Sequence, residues 1–229
     1  GAAAAQTPVA LKTTELGRGP VVVLVHGLGG GRMQWMPTTK RLLARHRVVM
    51  VDVPGHGGST LPDPFSIEAS AEQLAGLLSQ YKAESTIVVG QGLGGLLGIV
   101  ALGMHPERAR GLIVIDAATR LETPIHDQQQ KYFLEYLDQN YEAMIKPMFL
   151  AQARDSAEGV ALWAQASQAP AASVKSYIRG LLNFDGSKYV KEFKPAFLYV
   201  GTERAWPADK KWEDIAKSFG YTETLSVPT

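Results

Sequence analysis

Ile87-Val88-Val89-Gly90-Gln91-Gly92-Leu93-Gly94-Gly95 is the stretch that decides how this chain folds. Its first three residues are an apolar run of the kind that forms a buried strand. Leu93–Met104 follows almost at once and is apolar nearly all round, which predicts a buried helix. Strand and helix are thus joined by a sharp, glycine-framed turn with no loop between them. Small residues two before and two after its centre fit a place where strand and helix lie very close. The N–H of Leu93 would stand at the helix N-terminus, where backbone donors lack intrahelical partners and favour negative charge.

Outward from this turn the pattern repeats. Val21–Val25, Val48–Val51, Leu112–Ile115 and Ala196–Val200 are further short apolar runs bounded by turn residues, as expected of buried parallel strands. Helical stretches separate them: Trp35–Ala44, with Pro37 in its opening turn, and Ile67–Tyr81, whose apolar residues recur every three or four positions. Strand–helix alternation predicts an α/β, mostly parallel, doubly wound sheet with right-handed crossovers. The rhythm breaks between about Ala118 and Glu192, which reads as a helical insertion containing, for example, Gln128–Tyr141 and Ala157–Ser167. Its aromatics (Tyr132, Phe133, Tyr136, Phe149, Trp163, Tyr177) are expected to form a small core of their own, some of them lining a ligand cavity. The division is then residues 1–117 as the first part of the core, 118–192 as the insertion, and 193–229 as the second part.

Composition narrows the function. At roughly 150 residues per domain, 229 residues make one large domain, or one with a sizeable insertion. With 23 basic and 22 acidic side chains the net charge is +1, so the basic footprint of a nucleic-acid-binding or membrane-surface protein is missing. No apolar run approaches the roughly 18 residues of a membrane span, so no stable membrane anchor is expected. The absence of cysteine excludes a disulfide framework, thiolate metal sites and a cysteine nucleophile. There is no His-x-x-x-His pair, no carboxylate cluster at ligand spacing and no phosphate-binding lysine beside the glycines, so neither metal nor cofactor is implied. The opening Gly-Ala-Ala-Ala-Ala-Gln reads equally as a vector scar or as the remnant of signal-peptide cleavage; the latter would make this a secreted or periplasmic protein.

Three segments carry chemistry. In the first, the strand Val21–Val25 runs into His26-Gly27-Leu28-Gly29-Gly30-Gly31, a loop able to turn backbone N–H groups into a crevice at the strand's carboxyl end. The Leu28 N–H is a candidate oxyanion donor there, and a plain tight turn is the bland alternative. A dinucleotide fingerprint fits poorly, because the acidic residue it requires is not in register. The second segment is Asp52-Val53-Pro54-Gly55-His56-Gly57-Gly58-Ser59, where His56 reads as a structural loop histidine. The third is the opening stretch itself, a G-x-S-x-G nucleophile elbow except that the middle position is Gly92.

In their order and spacing these segments, with Met104-His105-Pro106-Glu107-Arg108-Ala109 and Leu112–Asp116 after them, resemble the α/β-hydrolase superfamily of the serine-hydrolase or esterase type. The resemblance implies an α/β-hydrolase fold with a helical cap at 118–192. It implies a small-molecule ester or acyl substrate and a covalent acyl-enzyme formed at position 92. Oxyanion donors would be the N–H groups of Leu28 and Leu93, and Gly27, Gln91 and Trp163 would line the substrate site. The family's histidine follows its last strand, yet the histidines here are 26, 46, 56, 105 and 126, so that strand, its histidine and the final helix are expected to be missing. For the acid that orients the histidine, Glu203 is the nearest substitute for the family's aspartate, and Asp116 is the alternative. Gly92 itself has two explanations, replacement of a serine in an active parent or a naturally non-catalytic ligand-binding or signalling member. The intact oxyanion segments favour the first. An aspartate nucleophile of the dehalogenase or epoxide-hydrolase kind could equally have been replaced, but Leu93-Gly94-Gly95 looks more like an esterase elbow.

Overall fold

The computed structural model describes residues 11–120, 126–191 and 193–201. Among these, six strands form one sheet: β1 (Thr13–Gly17), β2 (Val21–Val25), β3 (Arg47–Val51), β4 (Thr86–Gln91), β5 (Gly111–Ile115) and β6 (Ala196–Val200). Their order is β1-β3-β2-β4-β5-β6. All neighbours are parallel except β1, which runs antiparallel to β3. The five strands expected from apolar runs are all present. The sixth, β1, is an addition: Thr-Thr-Glu-Leu-Gly has no apolar run, because this edge strand is largely exposed and has little to bury.

Side chains of one strand alternate between the two faces of a sheet, and both faces are covered here. Val21, Val23 and Val25 of β2, Val49 and Val51 of β3, and Val88 of β4 belong to the larger core. This is filled by α2 (Ile67–Leu78) and α3 (Leu93–Met104). Val22, Leu24, Val48 and Met50 point the other way, onto Trp35 and α1 (Met36–Leu42). Helix α2 opens at the predicted residue, where the Ser66 hydroxyl accepts the Ala69 N–H at 2.9 Å as an N-cap. Pro37 sits in the first turn of α1, where a missing N–H costs nothing.

Between β5 and β6 lie four helices: α4 (Asp127–Gln139), α5 (Tyr141–Leu150), α6 (Ser156–Ala166) and α7 (Ala171–Leu182). Their aromatics do not form the separate core expected of them. Tyr132 and Tyr136 are 61% and 54% exposed. Tyr177 is fully buried, but in the main core, packed edge-on against Phe65 at 5.0 Å and beside His56 at 5.8 Å. Its hydroxyl donates to the Pro54 carbonyl and lies 3.0 Å from Ser70 Oγ. Burial beside these partners pushes the phenol well above its ordinary pKa, so the O–H stays a donor. The physical reason is that a long amphipathic side chain on α7 can bury its ring in the main core and still give its hydroxyl polar partners, the Pro54 carbonyl and Ser70 of α2.

Tyr177→Phe should cost about 1–3 kcal/mol, since it removes two buried hydrogen bonds, those to the Pro54 carbonyl and to Ser70 Oγ. Urea unfolding should show a lower midpoint at unchanged slope.

Candidate active site

The turn at residue 92 is the centre of the site. Gly92 joins β4 to α3 with φ +51° and ψ −117°, a conformation that side chains with a Cβ adopt only under strain. Its N–H donates to the Ile115 carbonyl at 2.8 Å, which fixes the turn to the end of β5. A Cβ built on Gly92 would make only ordinary van der Waals contacts, the nearest atoms being Gly27 Cα at 3.9 Å and the Asp116 carbonyl at 4.0 Å. The flanking glycines have the opposite character. A Cβ on Gly90 would collide with the Gly94 backbone, and one on Gly94 with the Val25 carbonyl. The spacing expected for close strand–helix approach is therefore required by contact at both positions.

A cavity of ≈ 200 Å³ opens beside this turn. Leu28, Leu93, Leu96, Leu181 and Phe184 make its apolar wall, and Gly92 and Asp116 lie in it together. The N–H groups of Leu28 and Leu93 donate to no acceptor among the described residues. Leu93 is the first residue of a twelve-residue helix, so its N–H lies at the positive end of the helix dipole. Asp116, just after β5, holds the left-handed value φ +48° that few non-glycine residues adopt. Glu203 lies outside the described residues.

Of the residues expected to line the substrate site, Gly27, Gln91 and Trp163 do not line this cavity. Gly27 lies beside the turn, its Cα 3.9 Å from the Cβ position of Gly92 and its own Cβ position 3.4 Å from the Gln91 carbonyl. The Gln91 side chain accepts from Gln34 Nε2 at 3.2 Å instead. Trp163 packs against Phe149 at 6.3 Å, with the Lys146 ammonium 5.9 Å from its ring centre. Leu96, Leu181 and Phe184 were not singled out by sequence: Leu96 is one of many leucines in an apolar helix, and the other two, at the end of α7 and just beyond it, are 85 or more positions away.

Two buried histidines hold the loops around the cavity. His26 Nε2 accepts the Val53 N–H at 3.0 Å, and His56 Nε2 accepts the Gly29 N–H at 3.0 Å. The loop after β2 thus lends an imidazole to the loop after β3 and receives one back. Accepting at Nε2 puts the proton of each ring on Nδ1, which donates to the Gly27 carbonyl in His26 and to the Pro54 carbonyl in His56. The rings meet edge to face at 5.4 Å. Asp52 completes the clasp by accepting the Arg32 N–H at 2.8 Å, the Gly58 N–H at 3.1 Å and the Arg32 guanidinium. Burial, with His56 alongside, lowers His26 to about 4 against the opposing effects of the Gly27 carbonyl and Asp52. Burial also lowers His56. Both rings are neutral near pH 7, so the 3.9 Å between His26 Nε2 and Asp52 is not an ion pair. With both nitrogens of each ring engaged, neither histidine is available as a base. His56 is a structural histidine, as its sequence context suggests, and its place is on the loop that carries Leu28.

With fold and site in view, comparison with known proteins is decisive for the class. The model of the α/β hydrolase fold family matches residues 20–221, and the chain belongs to that family. It is 28% identical over 199 residues to a putative carbamate hydrolase RutD of Azorhizobium caulinodans, covering 82% of this chain and 75% of the relative. It is 32% identical over 114 residues to a pimeloyl-[acyl-carrier protein] methyl ester esterase of Pseudoalteromonas atlantica, covering 49% of this chain and 43% of that one. A solved hydrolase from Oleispira antarctica has the same fold, with a TM-score of 0.80 at 14% identity over 94% of this chain and 85% of that one.

The clasp makes stability depend on pH with a definite sign. A histidine whose folded pKa lies below its unfolded value of 6.5 contributes fully above pH 6.5, and that contribution is lost as pH falls toward the folded value. For His26 the gap between 6.5 and about 4 is worth about 3 kcal/mol. Unfolding midpoints measured from pH 7 down to pH 4 should fall through that window, and a His56→Gln variant should show a shallower fall.

Proposed function

We propose that the chain derives from a hydrolase that cleaves a carboxylic ester or related acyl bond at position 92, and that Gly92 removes the nucleophile while keeping its mount. The observation that carries this reading is the backbone of Gly92. It holds φ +51° where glycine relieves the strain of an elbow, yet a Cβ there would make only ordinary van der Waals contacts, so a side chain could stand at that position. Beside it are the N–H groups of Leu28 and Leu93, which have no acceptor among the described residues. The mostly apolar cavity next to them, with Asp116 and Arg120 also in its lining, suits the acyl or alcohol part of an ester. The esterase and hydrolase names of the relatives agree with the reaction class.

In the chemistry proposed, a serine hydroxyl at position 92 gives its proton to a histidine as its oxygen attacks the ester carbonyl carbon. The carbonyl oxygen gains the negative charge and sits between the N–H groups of Leu28 and Leu93. The alkoxide leaves with a proton from a histidine, and water then releases the acid by the same route. Asp116, in the same cavity, is the described candidate for the acid that orients that histidine. The helices between β5 and β6 act as a cap over the site. As it stands, the chain binds an acyl ligand in the cavity and turns nothing over.

The test is Gly92→Ser, expressed from the complete gene and assayed on short-chain p-nitrophenyl esters. Turnover is expected from the serine form and none from the glycine form. A folded serine form that hydrolyses none of them would sink the reading and leave a ligand-binding member of the family. The same substitution should lower stability by about 1–3 kcal/mol, because serine must hold the positive φ that glycine holds freely. Thermal unfolding of the two forms measures it.

A further inference from the structure

Three glutamines, far apart in sequence, form a continuous line from the inserted helices to the elbow. Gln165 Nε2, on α6, donates to Gln34 Oε1 at 3.1 Å. Gln34 Nε2 donates to Gln91 Oε1 at 3.2 Å, and Gln91 is the residue before the turn. The Gly31 N–H, in the loop after β2, reaches Gln34 Oε1 at 3.4 Å. That backbone donor sets the direction of the whole line. It requires the Gln34 oxygen on its side, so Gln34 must donate to Gln91, and Gln165 must donate to Gln34.

The glycines of the loop are what let this line form. A Cβ on Gly30 would collide with Gln34 Oε1, and the Gln165 amide lies 3.7 Å from where one would stand on Gly31. On the adjoining Gly29, a Cβ would run into the Phe149 ring of α5 and stand 3.3 Å from Ala166 of α6. Helices α5 and α6 are therefore seated directly on the loop that carries Leu28.

We propose that Gln34 is a positioning residue for the site, its amide holding the Leu28 loop, the elbow strand and helix α6 in one register. The proposal rests on the reading of Leu28 and Leu93 as oxyanion donors. Gln34 touches no reacting atom. It fixes the spacing of the two segments that present the donors, and displacement of a donor by a fraction of a hydrogen-bond length weakens its hold on the transition state more than on the ester. It also makes the seating of α6 felt at both donors, so a ligand that shifts α6 alters the donor geometry.

The experiment compares Gln34→Met, which keeps length and bulk without hydrogen bonds, with Gln34→Glu. The carboxylate can still accept from Gly31 and Gln165, and from Gln91 once that amide turns over. Backbone amide spectra of the glycine-92 chain are read first, because they need no activity. With methionine, the Leu28 and Leu93 amide resonances should move, and exchange at the Gly31 amide should quicken by about tenfold, the worth of one hydrogen bond. With glutamate, they should stay close to the parent. A folded methionine variant with both resonances unmoved, or a glutamate variant displaced as far as the methionine one, would overturn the proposal. If Gln34→Met does not fold, Gln165→Met removes only the α6 bond. It should move the Gln91 side-chain amide and the Leu93 backbone amide, and unmoved signals overturn the proposal equally. In the Gly92→Ser background, Gln34→Met should lower kcat on the order of 10- to 100-fold with KM within about twofold, and Gln34→Glu should recover most of it. Loss in KM alone would count against positioning. Absence of turnover in the Gly92→Ser parent would defeat the hydrolase reading and leave the amide spectra to decide on Gln34.

Discussion

Helix α3 lies closer to the sheet than any side chain at Gly90 or Gly94 would allow, and the rest of the molecule is arranged around that approach. The contact is backbone against backbone, so it cannot be loosened by a rotamer change. It leaves one residue in which the chain must pass from strand to helix, and that residue takes a positive φ. The helix is held in place by burial: Leu96, Leu97, Ile99, Val100 and Leu102 of α3 all sit in the core. At about 1.5–3 kcal/mol for each large apolar side chain fully buried, five of them would outweigh several times over the strain that a side chain at position 92 would add. The first N–H of α3 is thereby fixed in space to the precision of the core.

The loop that carries Leu28 touches the core through that one partly buried side chain, and the molecule holds it chiefly by polar means. The paired histidines exchange backbone N–H acceptors between the loops after β2 and β3, with Asp52 gathering three more donors behind them. Neutral imidazole suits this task because it accepts and donates at once, and so satisfies two buried backbone groups without burying a charge. Tyr177 brings α7 to the same place from above. Hydrophobic contact fixes one donor and a hydrogen-bonded clasp fixes the other.

What could be read from sequence follows the range of the interactions. The elbow was legible because its constraints are local: glycines at 90, 92 and 94 in a fixed pattern between a strand and a helix. Four strands were legible because burial on both faces leaves apolar runs, β6 because its run is apolar although it is only partly buried, and β1 was not because an edge strand needs none. Helix limits inside the insertion were off by a residue or two, and Tyr177 was assigned to the wrong core, since an amphipathic helix does not say which neighbour its aromatic will reach. The position of Gln91 could not be foreseen either. A side chain beside the turn can face either way, and what draws it from the cavity is Gln34, 57 residues earlier. The residues that do wall the cavity beside Leu28 and Leu93 are ordinary leucines and a phenylalanine, with nothing in their local text to mark them.

The neutral histidine clasp has a consequence for anyone measuring rate against pH in an active relative of this chain. Acid would reach the activity by two routes, protonation of the catalytic base and protonation of rings that never touch the substrate. The second route acts on the loop that carries Leu28, and with His26 lowered to about 4 it takes over on the acid side of the base's own titration. Its midpoint would track the folding equilibrium, moving with temperature and denaturant as an intrinsic acid constant does not. The acid limb of such a profile is partly a melting curve.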